Sequence, residues 1–309
     1  RVYEGQINVN GKKYDNVFLD LTETCNTALA GENGATIDGK LQAAYKDIYK
    51  INGKYYALPW IEGVMGIMRN VTLWNKLGLT DDDVPLTTDH MFETLDKIKQ
   101  LAAANTKFKD VAPFIYSARD EYYTSFVEAW FMQYEGEAAV KNFLSGKDPS
   151  GNVSKDVFTY QGQREMLEVT EKLVKSSNKY QHPKSSGLEF TAMQGQFLKE
   201  QAVFCVNGAW IEIEQGASYP NVDVDFIDTP IISSIVKKLS FYDEEATDNE
   251  SRLRELVKYI DAVESGYENK PAFASNADVD TVREARRYNY SSQGGSHILV
   301  GSSYSPKTA

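Results

Sequence analysis

The sequence predicts an α/β chain folded as two lobes, and three observations carry that expectation. Strand-like and helix-like hydrophobic patterns alternate along the chain. Its 309 residues exceed one domain of ordinary size. The stretch 52–79, NGKYYALPWIEGVMGIMRNVTLWNKLGL, holds an aromatic strand cut by a proline and followed by a fresh apolar run. Asn52-Gly53 is the dipeptide of a two-residue hairpin turn. Pro59 brings no N–H to a ladder, so strand pairing is expected to end or break there. A strand interrupted in this way and continuing into a new sheet is the pattern of a crossing between lobes.

The elements follow in order. Residues 1–30 read as strand pieces around Gly11 and Lys12, then VFLDLTETC. Gly31 to Gly39 is a Gly- and Asn-rich loop. Residues 40–49 form a short amphipathic helix with Leu41, Ala44, Tyr45 and Ile48 on one face. After the apolar run from Gly63 to Met68, a helical piece over 72–77 stops at Gly78, a left-handed cap. Thr88 or Asp89 is a plausible N-cap for a helix carrying Phe92, Leu95, Ile98 and Leu101. A strand over 111–116 precedes a helix over 121–134, with Phe126, Trp130 and Tyr134 at four-residue steps. Further helices are predicted over 163–175 and 191–199. The strand 202–206 runs into Asn207-Gly208, a helix covers 211–216, and 222–227 alternates as a strand. Beyond Thr229-Pro230, residues 231–293 are charged and helical, with Leu253, Leu256, Val257, Ile260 and Val263 on one face and a second helix over 278–288. Gly294-Gly295 closes them, and 297–300 returns to strand.

Composition excludes several classes. A net charge of −11 and a pI near 4.9 oppose a nucleic-acid partner, which needs a basic face, and an anionic membrane surface. Cys25 and Cys205 form no CxxC pair, and with three scattered histidines there is no zinc spacing, so neither metal nor cofactor is expected. No run of 18 or more apolar residues exists. Nineteen Tyr and four Trp are more than a core alone calls for, and surplus aromatic side chains serve to stack on ligands. The opening Arg1-Val2-Tyr3-Glu4, without Met or a leader, is expected to reflect a removed signal or an excerpt of a longer protein.

The order of these segments resembles a known family. Asp20-Leu21-Thr22, NGKYYALPW, the run ending in Arg69-Asn70, LWNKLGL at 73–79, FLKEQAVFCVNGAW at 197–210 and the Thr229-Pro230 return are similar to the extracellular solute-binding proteins of bacterial ABC importers, in the carbohydrate-carrying group, and more to Gram-positive members. The resemblance spans almost the whole chain. It implies a periplasmic-binding-protein-like fold of two α/β lobes joined by a hinge, with 1–59 in lobe 1, 60–229 as lobe 2, 230–293 as a helical insert and 294–309 returning toward the hinge. It also implies no enzymatic activity, a monomer that delivers an oligosaccharide to the transmembrane subunits of an ABC permease, and a cell-surface lipoprotein anchored outside the membrane. The family's opening strand–helix unit and closing helices have no counterpart here. Lobe 1, and part of the pocket, are therefore expected to be incomplete in this chain.

A sugar presents apolar C–H faces and many hydroxyls, which proteins meet with aromatic planes and polar side chains. The resemblance places the stacking aromatic at Trp210; core packing is its alternative. Trp60, beside the proline, is a second stacking candidate or a packing residue between strands. Glu62 sits where the family often places a hydroxyl-binding acid. Asp120, Glu121, Tyr122 and Tyr123 open the helix after strand 111–116; the acids could equally be caps favoured by the helix dipole. Asn207 is a ligand group or plain turn chemistry. Gly295 and Ser296, on the returning strand, either let backbone approach a ligand or end a helix. Trp74 and Trp130 read as core. A glycosidase is the competing function, requiring two carboxylates across a cleft, and a peptide or other small solute the competing ligand. No nucleophile elbow, P-loop, GxGxxG or HExxH is present.

Overall fold

The computed structural model describes residues 6–15, 17–60, 63–120, 122, 124–263, 269–292 and 298–301. Glu62, Glu121, Tyr123, Gly295 and Ser296 lie outside the described residues. The chain divides into two compact units, Arg1–Gly63 with Ser292–Ala309, and Val64–Ser291.

In the smaller unit, two Asn-Gly turns set two hairpins. Asn10 and Gly11 have φ of 52° and 79°, and Asn52 and Gly53 of 52° and 78°. These left-handed pairs are what a type I′ turn requires, and Asn and Gly bear them at least cost. They join β1 (Gln6–Val9) to β2 (Lys12–Asp15). After α1 (Thr22–Asn26), α2 (Ile37–Lys40) and α3 (Ala43–Tyr49), they join β3 (Lys50–Ile51) to β4 (Lys54–Tyr55). The stretch expected to be loop up to Gly39 ends in the single turn α2, because Thr36 Oγ1 accepts the Gly39 N–H at 2.9 Å. Leu41 then leaves that turn extended, so α3 starts later than the periodicity suggests. β5 (Leu58–Pro59) pairs antiparallel with residues 298–299, Pro59 opposite Ile298, and the strand ends at the proline. A two-residue ladder with little donor demand tolerates proline.

Cys25, Tyr49, Tyr55 and Ala57 form the small core here. One carboxylate braces it. Asp38 accepts from Lys50 Nζ at 2.7 Å, Tyr55 Oη at 2.8 Å and Lys46 Nζ at 3.1 Å.

In the larger unit the chain runs β6 (Val64–Asn70), α4 (Val71–Leu77), α5 (Thr88–Ala104), β7 (Ala112–Ile115), α6 (Thr124–Glu135), α7 (Glu137–Leu144) and α8 (Gln161–Val174). It continues through α9 (Phe190–Leu198), β8 (Ala202–Gly208), α10 (Ile211–Gln215), β9 (Val224–Ile227), α11 (Asn249–Val263), α12 (Asn276–Arg286) and β10 (Ser291–Ser292). The sheet order is β10-β6-β8-β7, with β9 also on β6. β8 runs parallel to β7 and antiparallel to β6, with Ile67 opposite Val206. All of β7 and all of β8 are buried. That is why both read as unbroken apolar runs rather than alternating ones.

Local chemistry sets the helix ends. Asn70 Oδ1 accepts the Leu73 N–H at 2.8 Å while its Nδ2 donates to the Phe197 carbonyl at 2.9 Å, so one side chain caps α4 and ties it to α9. Gly78 ends α4 in the left-handed conformation, φ 75°. The N-cap of α5 is Thr87, one residue ahead of the expected position; its hydroxyl accepts the His90 N–H. Gly136, at φ 86°, breaks the helical run and separates α6 from α7, a helix the periodicity did not mark. Trp74 and Trp130 are core residues, and the Trp130 indole donates to the Pro230 carbonyl at 3.1 Å. Ile231, Ile235, Leu253, Leu256, Val257 and Val282 belong to the same core as Ile67, Phe204 and Val206. The segment after Thr229-Pro230 thus completes the unit's core.

Two outcomes are expected. Hydrogen bonds from Lys50, Tyr55 and Lys46 hold the Asp38 carboxyl far below the ordinary carboxylate range. A depressed folded pKa contributes stability that is present above the unfolded value of about 3.9 and lost as pH falls below it. Amide protection factors over residues 22–55 should stay level from neutral pH to about 4 and fall below that, and Asp38→Asn should abolish the dependence. An unchanged profile in the variant would contradict this. In the larger unit, buried Asp278 accepts from Ser240 N (2.7 Å), Ser240 Oγ (2.6 Å), Ser275 N (2.7 Å) and Ser275 Oγ (2.8 Å). Asp278→Asn turns one acceptor into a donor facing donors and should lower stability by about 1–3 kcal/mol in urea denaturation.

Candidate functional site

The end of β8 decides where Trp210 goes. Asn207 is fully buried, and its Oδ1 accepts the N–H of Gly208 at 2.8 Å, folding its side chain back on the strand. Ala209 N–H bonds to the Val64 carbonyl at 2.9 Å, the last rung before the chain turns into α10. Trp210, N-cap of α10, then lays its indole over Gly208. A Cβ at 208 would overlap Cη2, Cζ3 and Cζ2 of that ring, so glycine is required by close approach rather than by backbone angle.

Two aromatic residues extend the indole. Tyr122 meets Trp210 edge-on, centroids 6.3 Å apart at 89°. Phe190, the first residue of α9, stacks on Tyr122 at 5.5 Å and 12°. Trp210, Tyr122 and Phe190 are all half-buried. Edge-on and offset stacking are the favoured geometries for such rings. Burial raises the Tyr122 hydroxyl above the ordinary tyrosine range, with Glu214 and Asp120 adding to it and hydrogen bonding with Trp210 opposing it. The phenol stays protonated, a donor as well as an acceptor.

Asp120 fixes this group rather than standing free. Its Oδ2 accepts the N–H of Phe190 at 2.6 Å, and its own N–H donates to Ser117 Oγ at 3.2 Å. Ser117 Oγ in turn donates to the Leu188 carbonyl at 2.8 Å. A carboxylate at the first N–H of α9 holds that helix start, and so Phe190, against Tyr122.

Behind the platform lies a buried amide pair. Gln194 Nε2 donates to Glu214 Oε2 at 2.7 Å and to Asn207 Oδ1 at 3.3 Å. Gln194 Oε1 and Asn207 Nδ2 have no partner among the described residues. The pair links α9, β8 and α10, the three elements around Trp210. Phe190, Gln194, Gly208 and Glu214 escape a motif-based reading. The signal for Gln194 was a polar residue at i+4 from Phe190 on the face that buries Met193 and Phe197.

Five of the expected site residues are described. Trp210, Tyr122 and Asp120 come together through Phe190. Asn207 lies beneath Trp210 as part of its support. Trp60 belongs to the smaller unit and is 64% exposed.

The cluster offers three half-buried rings, Trp210 perpendicular to Tyr122 and Phe190 parallel to it, with a hydroxyl and the exposed carboxylate of Glu214 nearby. Other reactive groups are committed elsewhere. Cys25 and Cys205 are free, buried thiols raised above the usual range by burial, which keeps them un-ionised. His90 and His182 each accept a backbone N–H at Nδ1, from Leu86 and Lys184. Among the described residues, no group of three or more His, Cys, Asp and Glu could hold a metal ion, and no helix is long and apolar enough to cross a membrane.

No family model and no curated protein matches the chain. Solved structures do. Maltose-bound MalE3 from T. maritima aligns at 14% identity over 88% of this chain and 57% of its own, with a TM-score of 0.51. An ABC transporter solute-binding protein from Thermotoga lettingae, bound with α-D-tagatose, aligns at 14% identity over 87% and 64%, TM-score 0.50. A structure from work on xylan utilisation by Caldanaerobius polysaccharolyticus aligns at 18% identity over 70% and 49%, TM-score 0.51. The chain spans about half to two thirds of the length of these structures. The likenesses show the fold, which is α/β and of the solute-binding-protein type.

If Gly208 is glycine because the indole covers it, Gly208→Ala must displace that ring. With 5-fluorotryptophan incorporated, the ¹⁹F resonance of Trp210 should move while those of Trp74 and Trp130 hold. An unmoved Trp210 signal in a folded variant would contradict the packing described.

Proposed function

We propose that this chain is the ligand-binding part of a carbohydrate receptor serving an ABC importer. The Trp210–Tyr122–Phe190 platform carries the reading. One face of a pyranose is a sheet of C–H groups that stacks on an aromatic plane, while its hydroxyls turn outward to acceptors and donors. The Trp210 indole supplies the plane, and Tyr122 Oη and the Glu214 carboxylate supply polar partners near it. The fold supports the same reading, since neighbours of that fold are a maltose-bound protein and a tagatose-bound solute-binding protein. An oligosaccharide is the ligand best matched to a chain with this many aromatic side chains.

Trp60, Glu62, Glu121, Tyr123, Asn207, Gly295 and Ser296 remain proposed contributors to the same binding function. The receptor is proposed to act as a monomer outside the cell, held at the surface by a lipid anchor, and to deliver its sugar to the permease's transmembrane subunits. It binds without turning ligand over. A glycosidase would need two carboxylates free to face one bond, and Asp120, the acid nearest Tyr122 in sequence, is engaged in capping α9.

Isothermal titration against a panel of mono- to tetrasaccharides tests this. Saturable binding to a member of the panel is expected, with no product by chromatography after prolonged incubation. Trp210→Ala should weaken that binding by about 2 kcal/mol, roughly thirtyfold, with the thermal transition retained. Hydrolysis of an oligosaccharide would replace the receptor reading with the glycosidase one. Binding to peptides but to no saccharide would replace the ligand.

A further inference from the structure

Away from the platform, the larger unit carries a groove of about 890 Å³ at the open edge of its sheet. Residues 180–182 run alongside β7 as an added edge. Phe114 N–H donates to the Tyr180 carbonyl at 2.9 Å, and His182 N–H donates to the Phe114 carbonyl at 2.7 Å. Lys109, Lys179 and Lys184 line the groove, with Asp110 as its one acid. Many of the chain's other basic side chains pair with acids, as in Lys97 with Asp83 and Arg254 with Glu93 and Glu250. These three lysines form no ion pair and no side-chain hydrogen bond among the described residues. Three unpaired cations gathered in one groove stand out in a chain of net charge −11, whose overall field repels anions.

A buried histidine belongs to the same groove. His182, 7% exposed, also lines the groove. Its Nδ1 accepts the Lys184 N–H at 3.3 Å, which leaves Nε2–H as the donor, without a partner among the described residues. Burial, with Lys184 nearby, lowers its pKa and keeps it neutral at pH 7. Lys179, at φ 56°, is the left-handed cap of the helical turn Ser176–Asn178. The floor is rigid: Tyr116 Oη donates to Gln181 Oε1 at 2.6 Å, and Gln181 Nε2 donates to the Val174 carbonyl at 2.5 Å. With Tyr116 and Gln181 paired, the rim cations and His182 Nε2–H are what the groove has to offer a ligand.

We infer that this groove is a binding site for a small multivalent anion, bearing phosphate or several carboxylates. Lysines act as point charges without the planar fork of arginine, so the site reads charge more than shape. Val111, Ala112 and Val174 add an apolar wall for the body of an organic anion. This site is separate from the platform, and its test is independent of the carbohydrate reading.

The experiment is calorimetric titration of the whole chain with sodium pyrophosphate and with sodium citrate, at low and at high NaCl. One-to-one binding is expected, weakened by salt as screening requires. The double variant Lys109→Gln/Lys184→Gln should lose roughly tenfold in affinity or more. Lys155→Gln/Lys258→Gln, at exposed lysines outside the groove, should leave it unchanged. The His182 Nε2 resonance should shift on titration with the anion. A response to pyrophosphate alone assigns a phosphate ligand, to citrate alone a polycarboxylate, and to both a site that selects by charge. Absence of saturable binding with either anion, or equal loss in both double variants, overturns the inference.

Discussion

The larger unit depends on the complete burial of β8. Each of its seven residues is shielded, with β7 parallel on one side and β6 antiparallel on the other. A strand in that position must be apolar on both faces, and the one polar side chain it carries, Asn207, must be answered inside the protein. For its Oδ1 the answer comes from Gly208 N–H and Gln194, while its Nδ2 has no partner among the described residues. Those bonds fix the strand's end and so the turn from which Trp210 departs. Core, strand end and aromatic platform form one physical chain of cause, running from burial to the placement of an indole.

Much of this fold was legible in the residues. Asn-Gly at 52–53, Asn70 ahead of a helix, Gly78 behind it, and the apolar run at 202–206 each obey local rules that tertiary structure has no reason to override. Pro59 ends its strand, as its missing N–H leads one to expect, but is itself paired opposite Ile298. The misses have local causes too. Residues 137–144 carried no helix in the sequence reading, yet Gly136 at φ 86° starts one there. The smaller unit was hard to read because its elements are only two to seven residues long, too short for a period to show. Its organiser, Asp38 with Lys46, Lys50 and Tyr55, brings together residues 8 to 17 apart that share no periodic face.

The site was legible in part. Trp210 and Tyr122 could be singled out as aromatic residues at element ends, and the structure brings them into contact. Phe190 could not, because its role comes from a stacking partner 68 positions away and from a helix cap supplied by Asp120. Asp120 shows why residue type alone misleads. An acid at a helix start could be a ligand group or a cap; here it caps a helix other than the one it precedes. The lysine groove was invisible for a similar reason, as Lys109, Lys179 and Lys184 are scattered along an acidic sequence and gather only when residues 180–182 add to the sheet edge.

The central claim is that the end of β8 presents an aromatic plane that receives a sugar ring. Saturation-transfer difference NMR on the whole chain with maltose and a panel of larger saccharides tests it most directly. The account predicts strongest saturation on C–H protons along one face of a single pyranose ring, and its loss in Trp210→Ala. Undiminished transfer in that variant, or none to any saccharide with the wild-type chain, would contradict it.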